Sequence, residues 1–280
     1  MKGRGLLRTV LEEALRAARD VLADAVVGGV VGEPMGRGFY GDLSYKGDIV
    51  CERAILDALK GELDSFVVVS EEMGVLKEGT GEPEYWVLID PVDGSANMSR
   101  NISFYSSGIA LARGPMISDV VCSGVIDHIT GELFVREGDY VSHRAVSNYV
   151  QNKEGGKGGY CTFFHHASFK KSHHVREASF RIAAKLRFFR VMGSALLEMC
   201  YAATGRADGY LCLTSELRTM DIVPALYFAR GIGCKIATRP KSLMNEKLDS
   251  KSRYGIIMGG NVAFIEEVLS ILRTGWNIIE

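Results

Sequence analysis

The apolar run Trp86-Val87-Leu88-Ile89, followed at once by Asp90-Pro91-Val92-Asp93-Gly94-Ser95, constrains this chain more than any other stretch. An apolar run closed by Pro and Gly predicts a buried strand that ends in a turn. Two carboxylates three residues apart then stand at the carboxyl end of that strand, where α/β folds place their ligands. Hard divalent cations take oxygen donors, and Mg²⁺ sites combine one or two carboxylates with substrate phosphate. A second β-rich run, Phe66-Val67-Val68-Val69, leads directly into Ser70-Glu71-Glu72-Met73-Gly74. Downstream, Asp221 opens an apolar helical pattern within Leu217 to Ala225. An Asp there either caps the helix or points into the site formed by the two strand ends.

Composition sets the frame for these acids. The chain has 280 residues, 47% hydrophobic and 24% charged, enough to bury a large core. Lys+Arg 33 against Asp+Glu 34 gives a net charge of -1, with no footprint for nucleic acid or membrane. Leu6 to Ala25 is an amphipathic helix rather than a signal peptide or a span, because Glu12, Glu13, Arg16, Arg19 and Asp20 interrupt its apolar positions. None of the six cysteines forms a Cys-x-x-Cys pair, so they read as buried thiols.

Further elements follow in order. A helix is expected over Val50 to Lys60, then strands over Phe104 to Ala112, Val120 to Asp127 and Glu132 to Arg136, with turns at Gly114-Pro115 and Thr130-Gly131. Polar, Gly-rich Gln151 to Gly159 marks the best internal boundary and divides the chain into 1–150 and 151–280. Beyond it strand and helix signals alternate: Tyr160 to Phe164, Leu186 to Met192, a helix from Ser194, Gly209 to Leu213, a helix from Asp221, Gly255 to Met258, and a helix over Val262 to Leu272. Such alternation indicates an α/β half. The fold class is therefore mixed α/β.

Four elements in this order resemble the inositol monophosphatase family of Mg²⁺-dependent phosphatases: Glu71-Glu72, Asp90-Pro91-Val92-Asp93-Gly94-Ser95, Gly193-Ser194-Ala195 before a helix, and Asp221-Ile222-Val223-Pro224-Ala225. The resemblance runs from about Asp48 to Gly233, and four ordered elements are far more specific than one acidic pair. It implies a layered α-β-α-β-α sandwich with the site between two sheet regions. It implies two Mg²⁺ ions and allows a third near Asp48. Asp90 would bridge the pair, Glu71 and the Val92 carbonyl would serve the first ion, and Asp93 with Asp221 the second. Glu72 would stand behind Glu71 or on the substrate side. Ser95, where the family usually has Thr, would orient the attacking water and relay its proton, with Asp48 accepting from its hydroxyl. Gly94 and Ser95 would hold phosphate through backbone N–H groups, while Gly193, Ser194 and Ala195 would touch the alcohol.

The implied reaction is hydrolysis of a small phosphate ester, inositol 1-phosphate or fructose 1,6-bisphosphate or both, by metal-activated water without a phosphoenzyme. A 3'-phosphoadenosine-5'-phosphate nucleotidase is the enzymatic alternative, and an inactive metabolite- or cation-binding relative the non-enzymatic one. A cytoplasmic homodimer is expected. Other residues carry plainer readings beside these. Ser194 reads almost equally as a helix N-cap. Arg218 would hold a second phosphate or form a surface salt bridge. The pairs His165-His166 and His173-His174 read as solvated loop or partial core, because adjacent side chains diverge. Lys170-Lys171 reads as solvated loop, and Arg181, Lys185, Arg187 and Arg190 as a helix end and strand near the substrate mouth.

Overall fold

The structure, a computed structural model, describes residues 5–144, 160–170, 172–240, 242–272 and 275–279. The boundary at Gln151 to Gly159, and Lys171 of the basic pair, lie outside the described residues.

The chain opens with α1 (Leu6–Val27), β1 (Pro34–Arg37), β2 (Leu43–Tyr45), α2 (Lys46–Glu62), β3 (Ser65–Ser70), β4 (Gly74–Gly79), β5 (Tyr85–Asp93) and the single turn α3 (Ser95–Met98). The strands β6 (Ser106–Ala112), β7 (Val120–Asp127), β8 (Leu133–Glu137) and β9 (Tyr140–Arg144) follow. Next come β10 (Tyr160–Phe164), α4 (His173–Ala183), β11 (Leu186–Arg190), α5 (Ala195–Ala203), β12 (Gly209–Leu217) and α6 (Val223–Gly231). The chain closes with β13 (Lys235–Arg239), β14 (Tyr254–Gly259), α7 (Val262–Leu272) and β15 (Asn277–Ile279). One sheet has seven strands in the order β4-β3-β5-β6-β7-β8-β9, and a second has six in the order β11-β10-β12-β14-β13-β15.

The layering follows from which face each side chain takes. Successive strand residues point to opposite faces, and the central strands bury both. On β5, Val87 and Ile89 pack with Leu11 and Leu15 of α1 and Ile55 of α2. Their neighbour Leu88 packs the other way, with Leu196 and Leu197 of α5 and Leu226 of α6. On β12, Tyr210 and Cys212 join that same inner cluster. Leu211 and Leu213 face outward to Ile182 of α4 and Ile265 of α7. The order is thus helices, seven-stranded sheet, helices, six-stranded sheet, helices: the expected α-β-α-β-α sandwich.

The helices obey the same logic. On α1 the buried positions are Leu7, Val10, Leu11, Ala14, Leu15, Ala18 and Leu22, the three- and four-residue spacing of one helical face. Each fully buried Leu contributes about 1.5–3 kcal/mol relative to an exposed one.

Several elements differ from the sequence reading. The β1–β2 hairpin, α4 and the strands β4, β9, β13 and β15 were not expected. α2 starts at Lys46, which puts Asp48 inside its first turn. All six cysteines are free. Among the described residues no helix is long and apolar enough to cross a membrane.

Candidate active site

The centre of the seven-stranded sheet aims its acids at one place. Parallel pairing of β3 with β5 sets Ser70 beside Ile89, so the next residues, Glu71 and Asp90, leave the ladder side by side. Against β6, Asp90 pairs with Gly108 and Asp93 with Ser106, and the register shifts between them. Pro91 lies in that gap. Proline has no N–H to give a ladder, and such irregularities re-aim a strand end.

Asp93 then meets the amino terminus of α5. Its Oδ2 accepts the Ser194 hydroxyl at 2.8 Å and the Leu196 N–H at 2.6 Å. These bonds favour the carboxylate, yet burial pushes Asp93 up to about 7, and Asp221 adds to the rise. The Ser194 hydroxyl also lies 3.0 Å from the Ser106 hydroxyl and makes no cap bond to α5. Ser194 is fully buried. It stands at the N-cap position of α5, as one reading expected, but its hydroxyl anchors Asp93 instead of capping the helix and is too deeply buried to touch substrate.

Asp90 is 1% exposed, and its Oδ1 has no hydrogen-bond partner among the described residues. Burial, followed by Glu71, Asp93 and Asp221, drives its pKa well above the ordinary carboxylate value. Burial likewise pushes Glu71 up to about 8, with Arg218 opposing and Asp221 reinforcing. Asp221 does not cap α6. Its Oδ2 accepts the Arg218 backbone N–H at 2.7 Å, and its Oδ1 lies 2.9 Å from Arg218 Nη2. Nη1 of the same guanidinium sits 2.6 Å from Glu71 Oε1. Glu71 and Asp221, 150 residues apart in sequence, are therefore separated by the width of one guanidinium.

Ser95 starts α3 just after Gly94, whose φ of 99° favours glycine. A Cβ on Gly94 would stand 3.2 Å from the Gly193 carbonyl, so the two glycine turns touch backbone to backbone. The Ser95 hydroxyl lies 2.6 Å from Asp48 Oδ1 and 2.7 Å from the Val92 carbonyl oxygen. It has one proton and can donate to only one of them at a time. Asp48 Oδ2 also accepts the Tyr45 N–H at 2.7 Å, and burial raises Asp48 to about 7 despite both bonds.

A cavity of about 160 Å³ opens here, lined by Asp93, Asp221, Arg218, Gly193, Ala195 and Glu198. His165, half-buried in the segment after β10, and His166, exposed, line it too, so the pair faces the site as well as solvent. His173 and His174 are exposed at the start of α4 and do not line it. With Glu177 they bring three ligand-capable atoms within 4.8 Å of one another, closer than the expected divergence of adjacent histidines.

Three residues escaped the sequence reading. Glu198 of α5, 1% exposed, accepts the Met192 N–H at 2.6 Å, and burial pushes it up to about 8. Glu52, one helical turn beyond Asp48, is 1% exposed and pushed up to about 7 by burial. A glutamate on the same helical face as Cys51 and Ile55 was the available signal. Asn97 Nδ2 donates to the carbonyls of Phe104 at 2.8 Å and Met192 at 2.7 Å, which ties α3 to the Gly193 turn.

Four acids, mutually repelling and largely withdrawn from water, with one oxygen lacking a partner among the described residues, form a hard donor set short of positive charge. It fits a divalent cation held by oxygen. Two mixed sheets around helices, with this centre at the strand ends, define a layered α/β phosphatase. The chain belongs to the inositol monophosphatase family, whose pattern it matches over residues 7–271. It is a phosphoric monoester hydrolase of a family of metal-dependent phosphatases.

Among similar proteins, a fructose-1,6-bisphosphatase/inositol-1-monophosphatase of Methanothermobacter thermautotrophicus is 26% identical over 238 residues, covering 81% of this chain and 82% of its own. A bifunctional NADP phosphatase/NAD kinase of Methanococcus maripaludis is 26% identical over 297 residues, covering 96% of this chain but 50% of its own length. The fold matches that of Leishmania major fructose-1,6-bisphosphatase with a TM-score of 0.80 at 15% identity, covering 98% of this chain and 96% of that one.

Proposed function

We propose that this chain is a Mg²⁺-dependent phosphomonoesterase for a small phosphorylated polyol or sugar, inositol 1-phosphate or fructose 1,6-bisphosphate or both. The observation that carries this reading is the meeting of Glu71, Asp90, Asp93 and Asp221 around a buried centre where Asp90 Oδ1 has no partner among the described residues. Asp90 would be shared by two cations, with Glu71 and the Val92 carbonyl on one and Asp93 with Asp221 on the other. Cations so held supply charge neutralisation at phosphate and make water nucleophilic at neutral pH.

The chain's own residues supply the rest. Ser95 sits between Asp48 and the Val92 carbonyl, so its hydroxyl can orient water and pass a proton to Asp48. A carboxyl near 7 is matched to that task. Gly94 and Ser95 are assigned to the phosphate, Gly193 and Ala195 to the alcohol. The two stretches 1–150 and 151–280 would each contribute one sheet and one side of the site. A cytoplasmic homodimer completes the reading. Its candidate surface is the edge strand β11, with exposed Phe188 and Phe189, beside exposed Phe180 of α4, and light scattering would read its mass.

The cavity is smaller than the roughly 300–1,000 Å³ of drug-sized pockets, which favours a small ester over a nucleotide. The second reading is a phosphorylated nucleotide such as NADP or 3'-phosphoadenosine 5'-phosphate, favoured by the likeness to the Methanococcus maripaludis protein. A phosphate-release panel over both groups, with Mg²⁺ and with chelator, tests the proposal. Release from the polyol or sugar phosphates, lost in chelator, is the expected result. Binding without release in Mg²⁺ would refute catalysis. In the same assay Ser95→Ala should lower kcat by about 10²-fold, the worth of one proton-relay group, with KM little changed. Ser95→Thr should retain most activity.

A further inference from the structure

Arg218 places a cation among the acids of the centre. Its Nε lies 3.1 and 3.2 Å from the two Asp221 carboxylate oxygens, and Nη2 lies 2.9 Å from Oδ1. Its Nη1 lies 2.6 Å from Glu71 Oε1 and 2.9 Å from Asp42 Oδ2. A guanidinium has five N–H donors in a planar fork, and here they are directed at carboxylates from three separate elements: the β1–β2 hairpin, the end of β3 and the loop before α6. The side chain is 12% exposed. Burial alone would weaken its charge, but Asp221 and Glu71 more than offset that and keep it protonated. It is therefore not a group waiting at the mouth for a second phosphate.

We propose that Arg218 is the resident counter-ion of the acidic centre, that it competes with divalent cations for Glu71 and Asp221, and that it thereby sets the metal affinity of the site. The inference rests on the metal-site reading above. Its physical basis is that the same oxygens cannot serve both partners at full strength. An oxygen-ligated cation sits about 2.0–2.6 Å from its carboxylates, which would bring it close to a guanidinium already bonded to them. Without any cation, buried carboxylates left unpaired are strongly unfavourable, so Arg218 holds the empty centre together. Asp42 gives the guanidinium a second partner outside that centre. Its side chain is 58% exposed, against 13% for Glu71. Asp221 is also held by the backbone N–H of Arg218, a bond that any side chain at 218 leaves in place. Replacing the side chain therefore isolates the guanidinium's contribution.

The test is calorimetric titration of Mg²⁺ into chelator-treated full-length protein, wild type against Arg218→Met and Arg218→Lys. Arg218→Met should bind Mg²⁺ at least about tenfold more tightly, the worth of one charge-assisted hydrogen bond, and should melt at a lower temperature when metal-free. Arg218→Lys, with charge but no fork, should fall between. Equal or weaker binding by Arg218→Met overturns the proposal. A variant that fails to fold leaves a measurement on the wild type: the Arg218 Nε–H resonance, assigned by its loss in Arg218→Lys. It should be protected in the metal-free protein and should move and exchange faster in saturating Mg²⁺. A resonance unchanged by Mg²⁺ also overturns the proposal. If wild type shows neither Mg²⁺ heat nor phosphate release, the metal-site reading has failed and the competition falls with it. Mg²⁺-dependent release with unaltered affinity in Arg218→Met condemns the competition alone.

Discussion

Asp93→Asn should abolish Mg²⁺-dependent phosphate release, by about 10³-fold or more, while the metal-free protein melts at the same temperature or higher. The two halves of this expectation have one cause. The change removes a charge and little else. The remaining amide oxygen can still accept from the Ser194 hydroxyl and the Leu196 N–H, so the anchor on α5 survives. What disappears is a carboxylate that burial already disfavours and that Asp221 further repels. Without metal at pH 8, where that group would otherwise be mostly ionised, its loss relieves strain among Asp90, Asp93 and Asp221. With metal, a site short of one anionic donor loses several kcal/mol of transition-state charge stabilisation, and about 4 kcal/mol is a thousandfold. Phosphate release, and melting curves with chelator and with Mg²⁺, read both halves. The Mg²⁺-induced rise in Tm should shrink in parallel. If Asp93 only fixed the start of α5, Asn would cost little activity and any destabilisation would be independent of metal.

The acids that this experiment addresses were legible in the sequence because their strands are buried on both faces and end in unmistakable turns. Phe66 to Val69 and Trp86 to Ile89 are short apolar runs, and the carboxylates follow each without a gap or after a single Ser. Other elements lacked that signal. β4 is an edge strand with Lys77 and Glu78 among mostly exposed residues, and β1 is exposed throughout. Such strands are stabilised by pairing with a neighbour, which no local pattern records. α4 is short, and only Ser179 and Ile182 are buried on it, so its periodicity was thin. Within the site, Ser194 illustrates the limit. A hydroxyl before a helix announces a cap, yet its partner here is Asp93, 101 residues away. Arg218 could be seen beside Asp221 in the chain, but its bond to Glu71 depends on how β3 and the loop before α6 come together.

The metal-free protein should lose thermal stability as pH rises from 6.5 to 9, and saturating Mg²⁺ should flatten the fall. Burial is the first cause of every raised pKa involved: Glu71 and Glu198 are pushed up to about 8, and Asp48, Glu52 and Asp93 to about 7. An acid whose pKa is higher folded than unfolded binds more protons in the native state. Its contribution is fully present below the unfolded value, near 4, and is lost as pH climbs through 7 to 8. Buried histidines act in the opposite sense but outside this window. His128, pushed down to about 3 by burial, makes stability rise between about 3 and the unfolded value near 6.5, and adds nothing above it. The range from 6.5 to 8 therefore isolates the carboxylates, while toward 9 the cysteine thiols, all raised by burial, add a fall of the same sign. Each such acid costs about 1.4 kcal/mol per pH unit between its unfolded and folded pKa and nothing further above it, so two groups near 8 lose about 4 kcal/mol between pH 6.5 and 8, and the expected fall in Tm is about 10 °C. At the proposed site Mg²⁺ would hold Glu71 and Asp93 ionised at every pH in the window, so its stabilising effect should grow with pH. Glu198 is not among the proposed ligands and should keep its share of the slope in Mg²⁺. Glu198→Gln should remove that share, raising Tm at pH 6.5 and by more at pH 9. A metal-free Tm that stays flat or rises between 6.5 and 9 would mean that these carboxylates are already ionised in the folded chain, and would deny the centre the unmet negative charge on which metal binding depends.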